Sequence, residues 1–123
     1  MKLQEFKNEK VKFIETIEVK SGVLCDVYEF IGNTNKDLAI IKVQKGYSTP
    51  LQKIIKGDNT IEGFISGNAV FQLNDISYEF PNNDGTIEVN VNIGDTMQWI
   101  AKDDLVFYEI CYPPYEDGRY KNL

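Results

Sequence analysis

The sequence predicts an all-β fold, a barrel or sandwich formed by a single domain of 123 residues. Three observations predict it. Short segments rich in β-branched and aromatic residues recur along the chain, turn residues separate them at intervals of about eight to twelve residues, and no segment has the period of an amphipathic helix. Closing such strands into a barrel removes the free edges through which sheets aggregate.

Two strands are predicted before the first long loop. They span residues 10–19 and 22–31 and are joined at Ser21-Gly22, a turn signal. Residues 3–7 suit a short N-terminal helix, and the loop at 32–37 follows the second strand because it is rich in glycine, asparagine and aspartate.

The rest of the chain alternates between strands and turns up to a proline-rich tail. The segment 86–93 alternates almost perfectly and would place Ile87, Val89, Val91 and Ile93 on one face. The predicted strands of this part cover residues 38–43, 51–55, 60–65, 69–73, 77–80, 86–93, 97–100 and 105–112.

Charge and hydrophobicity exclude two classes of partner. The net charge is −6 and the lysines are scattered, so the surface would repel a nucleic-acid backbone. The N-terminus lacks the apolar segment of a secretory signal, and no apolar run approaches the roughly 20 residues that span a bilayer. We therefore expect no nucleic-acid or membrane partner and a cytoplasmic location.

The chain contains no histidine, which is the most informative entry in its composition. Histidine is the commonest metal ligand and the usual general base near neutral pH. Ser-His-Asp, Cys-His and histidine-metal chemistry are therefore impossible within this chain. Cys25 and Cys111 lie in apolar strands and are expected to be buried free thiols, although the sequence leaves a disulfide open.

Glycine spacing in the second half of the chain resembles the cupin family. GYSTPLQKI at 46–54 and TIEGFISG at 60–67 resemble the first cupin motif, and GDTM at 94–97 resembles part of the second. The resemblance covers about residues 38–114. It implies a jelly-roll barrel over that range, preceded by the N-terminal strands at 10–31 and followed by a tail at 113–123. It also implies a homodimer.

The same alignment implies that the family's metal site is lost. The slots for its histidines and carboxylate hold Gln52, Ile54, Thr60 and Met97, which offer no hard ligand set for a transition metal. A register shift would bring Asp58 or Glu62 into the carboxylate slot, and one carboxylate would still not hold such an ion tightly. We therefore expect no metal and no cofactor.

Strand alternation defines the side chains that would face the barrel lumen. They combine apolar and aromatic groups with a few polar ones, as small-molecule sites do. Ile54 and Met97 would serve equally well as core filler, and for Trp99 core filler is favoured over a platform for a ligand. The predicted ligand-binding residues are Gln52, Ile54, Thr60, Glu62, Phe64, Met97 and Trp99.

Three functions follow from this lumen. The first is binding of a small polar molecule, a carbohydrate or sugar acid, without a metal. The second is a metal-independent sugar or sugar-nucleotide isomerase or epimerase with a Glu/Tyr acid–base pair drawn from Glu62, Glu109 and Tyr108. The third is a structural or regulatory dimer without catalysis. Glu109 also has a purely structural interpretation, an ion pair with Arg119, the only arginine.

Overall fold

The computed structural model describes residues 3–123, and in that range the chain forms strands and turns without a helix. The all-β prediction is confirmed. The predicted helix at 3–7 is wrong, because those residues pair with the next strand as the edge of a sheet. The strands are β1 (Leu3–Phe6), β2 (Glu9–Lys20), β3 (Val23–Phe30), β4 (Asp37–Val43), β5 (Gln52–Ile54), β6 (Asn59–Ser66), β7 (Ala69–Leu73), β8 (Ile76–Phe80), β9 (Glu88–Asn92), β10 (Thr96–Ala101), β11 (Leu105–Tyr112) and β12 (Tyr120–Asn122).

Two antiparallel sheets form the jelly roll. The larger sheet has the order β1-β2-β3-β4-β11-β6-β9, and the smaller has the order β12-β5-β10-β7-β8. The strand β12 lies in the tail, where composition alone predicted none. It pairs with β5 from Tyr120 opposite Ile54 to Asn122 opposite Gln52, so the end of the chain completes the smaller sheet.

The main core lies between the two sheets. In β10 the buried residues alternate with half-buried ones, and this places Met97, Trp99 and Ala101 on the inner face. In β9 only Val89 and Val91 are buried. Ile87 and Ile93 lie just outside the two ends of the strand and are exposed. We call the side of the larger sheet that faces the smaller one its inner face.

Aromatic rings fill the middle of this core. The indole of Trp99 stacks on Phe107 with ring centroids 4.6 Å apart, and it also contacts Phe71 at 4.7 Å and Phe80 at 5.5 Å. Phe80 in turn stacks on Phe64. Large rings in close contact bury much apolar area and leave little free volume, so this part of the barrel is packed rather than open.

A second core covers the outer face of the larger sheet. The sheet curls so that the Phe6 ring of β1 meets the Tyr108 ring of β11 at 4.9 Å in an edge-to-face contact. The Tyr108 hydroxyl donates to Glu88, which also pairs with Lys7. Val11, Phe30, Leu38 and Ile110 are the other buried residues of this cluster.

Gly63 makes room for the Tyr108 ring. A Cβ atom built on Gly63 would lie 1.9 Å from Tyr108 Cζ, much closer than any real contact. We expect Gly63→Ala to lower the free energy of unfolding by about 1–3 kcal/mol through overpacking. A Cβ on Gly32 meets nothing within 4 Å. Gly32→Ala is therefore the matched control, and urea unfolding that gave equal losses for both variants would refute this interpretation.

Candidate functional site

Two carboxyl groups face each other in the interior. In the ladder between β6 and β11, Glu62 lies directly opposite Glu109, so both side chains project from the inner face. Glu62 is 1% exposed, whereas Glu109 is half-buried and reaches toward solvent. Within residues 3–123 neither carboxyl forms an ion pair with a lysine or arginine. Like charges placed opposite each other without a cation are costly, and such pairs are a feature of functional sites.

The environment of Glu62 favours its protonated form. Burial raises the pKa of Glu62 well above its ordinary value, and the neighbouring carboxyl group of Glu109 raises it further. The indole N–H of Trp99 donates to Glu62 Oε1 at 3.0 Å and opposes this rise. The pair therefore holds a proton over a pH range in which an ordinary glutamate is ionised.

A tyrosine and a thiol surround Glu109. The Tyr120 hydroxyl donates to Glu109 Oε1 at 2.6 Å, and the Cys111 thiol lies 3.5 Å from the same oxygen. Burial, followed by the charge of Glu109, raises the pKa of Tyr120 well above its ordinary value. Tyr120 therefore stays protonated as a hydrogen-bond donor. The sequence pattern did not predict a role for Tyr120, because its position depends on how the tail returns to β5.

Two polar atoms near the carboxyl pair lack a hydrogen-bond partner. Glu62 Oε2 and Thr60 Oγ1 are both buried and have no partner in the described part of the chain. Thr60 and Glu62 are successive inward positions of β6, opposite Cys111 and Glu109. Buried polar atoms are nearly always hydrogen-bonded, so this pair marks a place where the lumen can interact with a further polar group.

Asp37 adds a third carboxyl group to the same patch. It lies opposite Cys111 in β11, one inward position away from Glu109, and accepts a hydrogen bond from the backbone N–H of Tyr115 at 2.8 Å. Burial raises the pKa of Asp37, although the Tyr115 bond opposes the rise. Alternation places Cys111 on the same face as Glu109. Asp37 could have been predicted there only if the pairing of β4 with β11 had been known.

Arg119 does not pair with Glu109, and that structural interpretation is wrong. The arginine is completely buried, and its guanidinium donates to the backbone carbonyls of Asn59, Tyr112 and Pro113 at 2.8, 3.1 and 3.1 Å. The tail curves so that three carbonyls converge on the guanidinium, which satisfies them where strand pairing ends. Arg119 therefore fixes the tail and positions Tyr120.

Tyr108 is not placed to act with the glutamates. It lies between Phe107 and Glu109 along β11 and points to the outer face, where its hydroxyl meets Glu88. Glu62 and Glu109 point to the other side of the same sheet, and a tyrosine cannot reach through a sheet. The tyrosine that the structure brings to the carboxyl pair is Tyr120.

The predicted lumen residues divide into packed and accessible ones. Ile54, Thr60, Met97 and Trp99 are buried in the core or beside it, and Trp99 is enclosed by aromatic rings. Phe64 and Gln52 are half-buried, and the Gln52 amide donates to Asn122 at 3.0 Å. Their role in ligand binding stays a prediction. The aromatic packing favours core filler for Trp99, Ile54 and Met97.

The cupin metal slots do not offer a metal site. Gln52 lies directly opposite Met97 in the β5–β10 ladder, so the slots do come together, but Ile54 and Met97 supply no hard donor. In residues 3–123 no three histidine, cysteine, aspartate or glutamate side chains converge as metal ligands.

Both cysteines are free thiols. Burial, followed by the charge of Glu109, raises the pKa of Cys25 to about 12, so its thiol is a weak nucleophile. Burial also raises the pKa of Cys111. Neither thiol is activated for covalent catalysis.

Two surface depressions lie away from the carboxyl pair. One, of about 390 Å³, lies beside the β2–β3 turn, where Leu24, Lys42 and Val106 contribute to its wall. The other, of about 450 Å³, lies where β2 begins and β3 ends, next to Lys10 and Phe30. Neither contains a predicted lumen residue.

Comparison with known proteins adds information on the fold. No protein-family model and no curated protein matches the sequence. Among solved structures, a cupin-2 domain from Rhodospirillum rubrum is similar, with a TM-score of 0.71, 12% identity and coverage of 98% of this chain and 78% of that one. KdgF from Halomonas sp. gives a TM-score of 0.69 at 11% identity, with 85% and 92% of the two chains covered.

A third solved structure is that of Streptomyces PAC13 with uridine, at a TM-score of 0.70 and 14% identity, covering 91% of this chain and 89% of that one. In residues 3–123 no helix is long and apolar enough to cross a membrane. The strand order, the paired sheets and these similarities agree with the jelly roll that the glycine spacing predicted. The chain is a small domain with the cupin fold.

Proposed function

We propose that this chain binds a small polar molecule, a carbohydrate or a related polyol, at the inner-face patch formed by Glu62, Glu109 and Tyr120. The observation that carries the proposal is the pair of buried polar atoms, Glu62 Oε2 and Thr60 Oγ1, that lack partners beside a carboxyl pair. Ligand hydroxyl groups both donate and accept hydrogen bonds, so they match such atoms.

Access to this patch is through Glu109. The half-buried Glu109 links the enclosed Glu62 to the surface, and the Tyr120 hydroxyl fixes the direction of one carboxylate oxygen. The exposed Tyr115 ring stacks on Tyr120 with centroids 6.0 Å apart and extends the patch with an aromatic face, which suits sugar rings. PAC13, which has the same fold, was solved with uridine, a molecule that carries a ribose.

The charge of the patch favours a neutral ligand over a sugar acid. Asp37 and Glu109 lie on the same face without a paired lysine or arginine in the described residues, and an incoming carboxylate would be repelled. Of the two ligand classes that the sequence suggested, the carbohydrate is therefore the one that we propose.

The experiment is a calorimetric and thermal-shift screen of wild-type protein against neutral sugars, polyols and sugar acids. Glu109→Gln should weaken binding of any hit by about tenfold or more, since it removes the accessible charged acceptor. Glu79→Gln, at an exposed residue of β8, should leave the affinity unchanged. The proposal fails if no compound binds, or if both variants retain wild-type affinity.

The second candidate function is a metal-independent isomerase or epimerase. The raised pKa of Glu62 and the hydrogen bond from Tyr120 to Glu109 favour it, because proton transfer at a sugar carbon needs one group that accepts and one that donates. Exchange of a carbon-bound hydrogen of a sugar with D₂O, lost in Glu62→Gln, would support it. Absence of exchange with any ligand that binds would remove it.

We also propose a homodimer formed through the free edge of β2. Within residues 3–123, β1 pairs with residues 9–12 and the half of β2 at 13–20 has a neighbour on the β3 side alone. Its exposed residues include Ile14, Ile17 and Val19. A second copy docked antiparallel about Ile17 would place the two Ile17 residues opposite each other and Glu15 opposite the Val19 of that copy.

The dimer has a direct test in Ile17→Lys. This change should convert a dimer to a monomer in light scattering, because it places two like charges at the centre of the proposed contact. Ile65→Lys, at a similarly exposed isoleucine of β6, is the matched control and should remain dimeric. Wild-type protein that is monomeric at all concentrations would overturn the proposal.

A further inference from the structure

We infer that the inner-face patch selects a ligand that carries a positive charge, and that the ligand class is an amino sugar or another amine-bearing polyol. The inference rests on the proposed function, since it assigns the charge of the molecule that the patch binds.

Three carboxyl groups share one side of two neighbouring ladders. Glu62 lies opposite Glu109, and Asp37 lies opposite Cys111, one inward position along β11 from Glu109. Glu109 and Asp37 are diagonal neighbours on adjacent strands, for which the spacing is about 7–8 Å, and Glu109 lies between the other two groups. Glu109 and Asp37 are both half-buried, whereas Glu62 is enclosed, so these two groups connect the region with solvent.

In residues 3–123 no lysine or arginine forms an ion pair with these three carboxyl groups. The four ion pairs of the described chain involve other acidic residues, namely Glu88, Glu9, Asp26 and Glu79. Arg119, the only arginine, donates to three backbone carbonyls instead, and its positive charge opposes the rise in the pKa values of Asp37 and Cys111, so it offsets part of the negative charge. The remaining negative charge of the patch is thus available to a ligand.

Neighbouring groups respond to the same negative field. After burial, the charge of Glu109 is the next cause that raises the pKa of Cys25, and Glu109 also contributes to the raised pKa values of Cys111 and Tyr120. The causes at Cys25 further include Asp26, Asp37 and Glu15. A cation that enters this field is attracted by the charges of Glu109 and Asp37.

The arrangement suits an organic cation better than a metal ion. In the described residues these carboxyl groups do not converge as ligands of one ion. The buried Glu62 Oε2, which has no partner, and the Tyr115–Tyr120 ring pair instead border a broader surface. An ammonium group can bind a carboxylate while the rest of its molecule meets tyrosine rings and hydroxyl acceptors.

Three sugars that share one ring and differ mainly in charge provide the test: glucosamine, glucose and glucuronate. Calorimetric titration at about pH 6, where the amine is protonated, should give binding about tenfold or more tighter for glucosamine than for glucose, and the weakest for glucuronate. Asp37→Asn, which keeps an acceptor for Tyr115, should reduce the ratio of glucosamine to glucose affinity. Glu79→Gln should leave that ratio unchanged.

The outcomes separate this inference from the proposed function. Glucose that binds as tightly as glucosamine, or a ratio that Asp37→Asn does not change, would overturn the charge selectivity and leave polar-ligand binding intact. If neither these sugars nor any other polar compound binds the wild-type protein, the proposed function fails and the inference fails with it. Added salt should weaken glucosamine binding more than glucose binding, because it screens the carboxylates.

Discussion

Replacing Arg119 with methionine is expected to lower the free energy of unfolding by about 3 kcal/mol or more. The change removes a completely buried guanidinium and its hydrogen bonds to the carbonyls of Asn59, Tyr112 and Pro113. The Tyr112 carbonyl then keeps only the bond from the backbone N–H of Asp58. Each hydrogen bond to a charged group contributes about 1.5–3 kcal/mol, and a buried acceptor left unpaired carries a further cost. Chemical denaturation measures the loss.

Lys121→Met is the matched control, because Lys121 lies two residues further along the tail and is exposed. It should change stability by less than about 0.5 kcal/mol.

Gly57 provides an independent variant. A Cβ on Gly57 would lie 2.3 Å from Arg119 Nη1, whereas Gly46 has the same φ of 85° and meets nothing within 4 Å. Gly57→Ala should therefore cost more than Gly46→Ala. Equal costs, or a stable Arg119→Met variant, would show that the guanidinium does not fix the tail.

Replacing Glu62 with glutamine is expected to stabilise the protein above about pH 5 and to flatten its pH dependence. The folded pKa of Glu62 is raised above its unfolded value, so the folded state holds more protons than the unfolded state between the two pKa values. The wild-type protein thus has its full stability from this group below the ordinary pKa of 4.5 and loses it as the pH rises through the folded pKa.

Glutamine stays neutral throughout and can accept from the Trp99 indole while donating to Glu109. We expect a gain on the order of 1–3 kcal/mol at about pH 8, the scale of a buried polar group with unmet hydrogen bonding. Thermal unfolding of both proteins between about pH 4 and pH 8 measures it. Parallel pH profiles for wild type and Glu62→Gln would refute the assignment of the proton to this pair. Glu79→Gln should follow the wild-type profile.

The inward residues of the sheets could be predicted because they depend on local alternation. The period-two pattern of β6 placed Thr60, Glu62 and Phe64 on one side, and that of β10 did the same for Met97 and Trp99. Turn signals also fixed the ends of β7 and β11, which match the predicted 69–73 and 105–112. These features require no knowledge of the partner strand.

The composition of the candidate site could be predicted only in part, because it depends on contacts far apart in sequence. Glu62 and Glu109 meet because β6 and β11 are neighbours in a jelly roll, and Tyr120 joins them because the tail returns to β5. Arg119 was the predicted charge partner of Glu109, but its guanidinium donates to backbone carbonyls instead. That Tyr108 cannot act together with Glu109 could be predicted, because adjacent residues of a strand point to opposite faces of the sheet.

The contact between Trp99 and Glu62 makes the tryptophan an intrinsic fluorescence probe of the carboxyl group. The chain has one tryptophan, so its fluorescence comes from a single fluorophore whose N–H touches the carboxyl that holds the proton. Ionisation of that carboxyl changes the field along the indole, and the emission spectrum shifts with it. Titration of the emission would follow the proton on one side chain without a label. The emission would also change when a ligand binds at the inner-face patch.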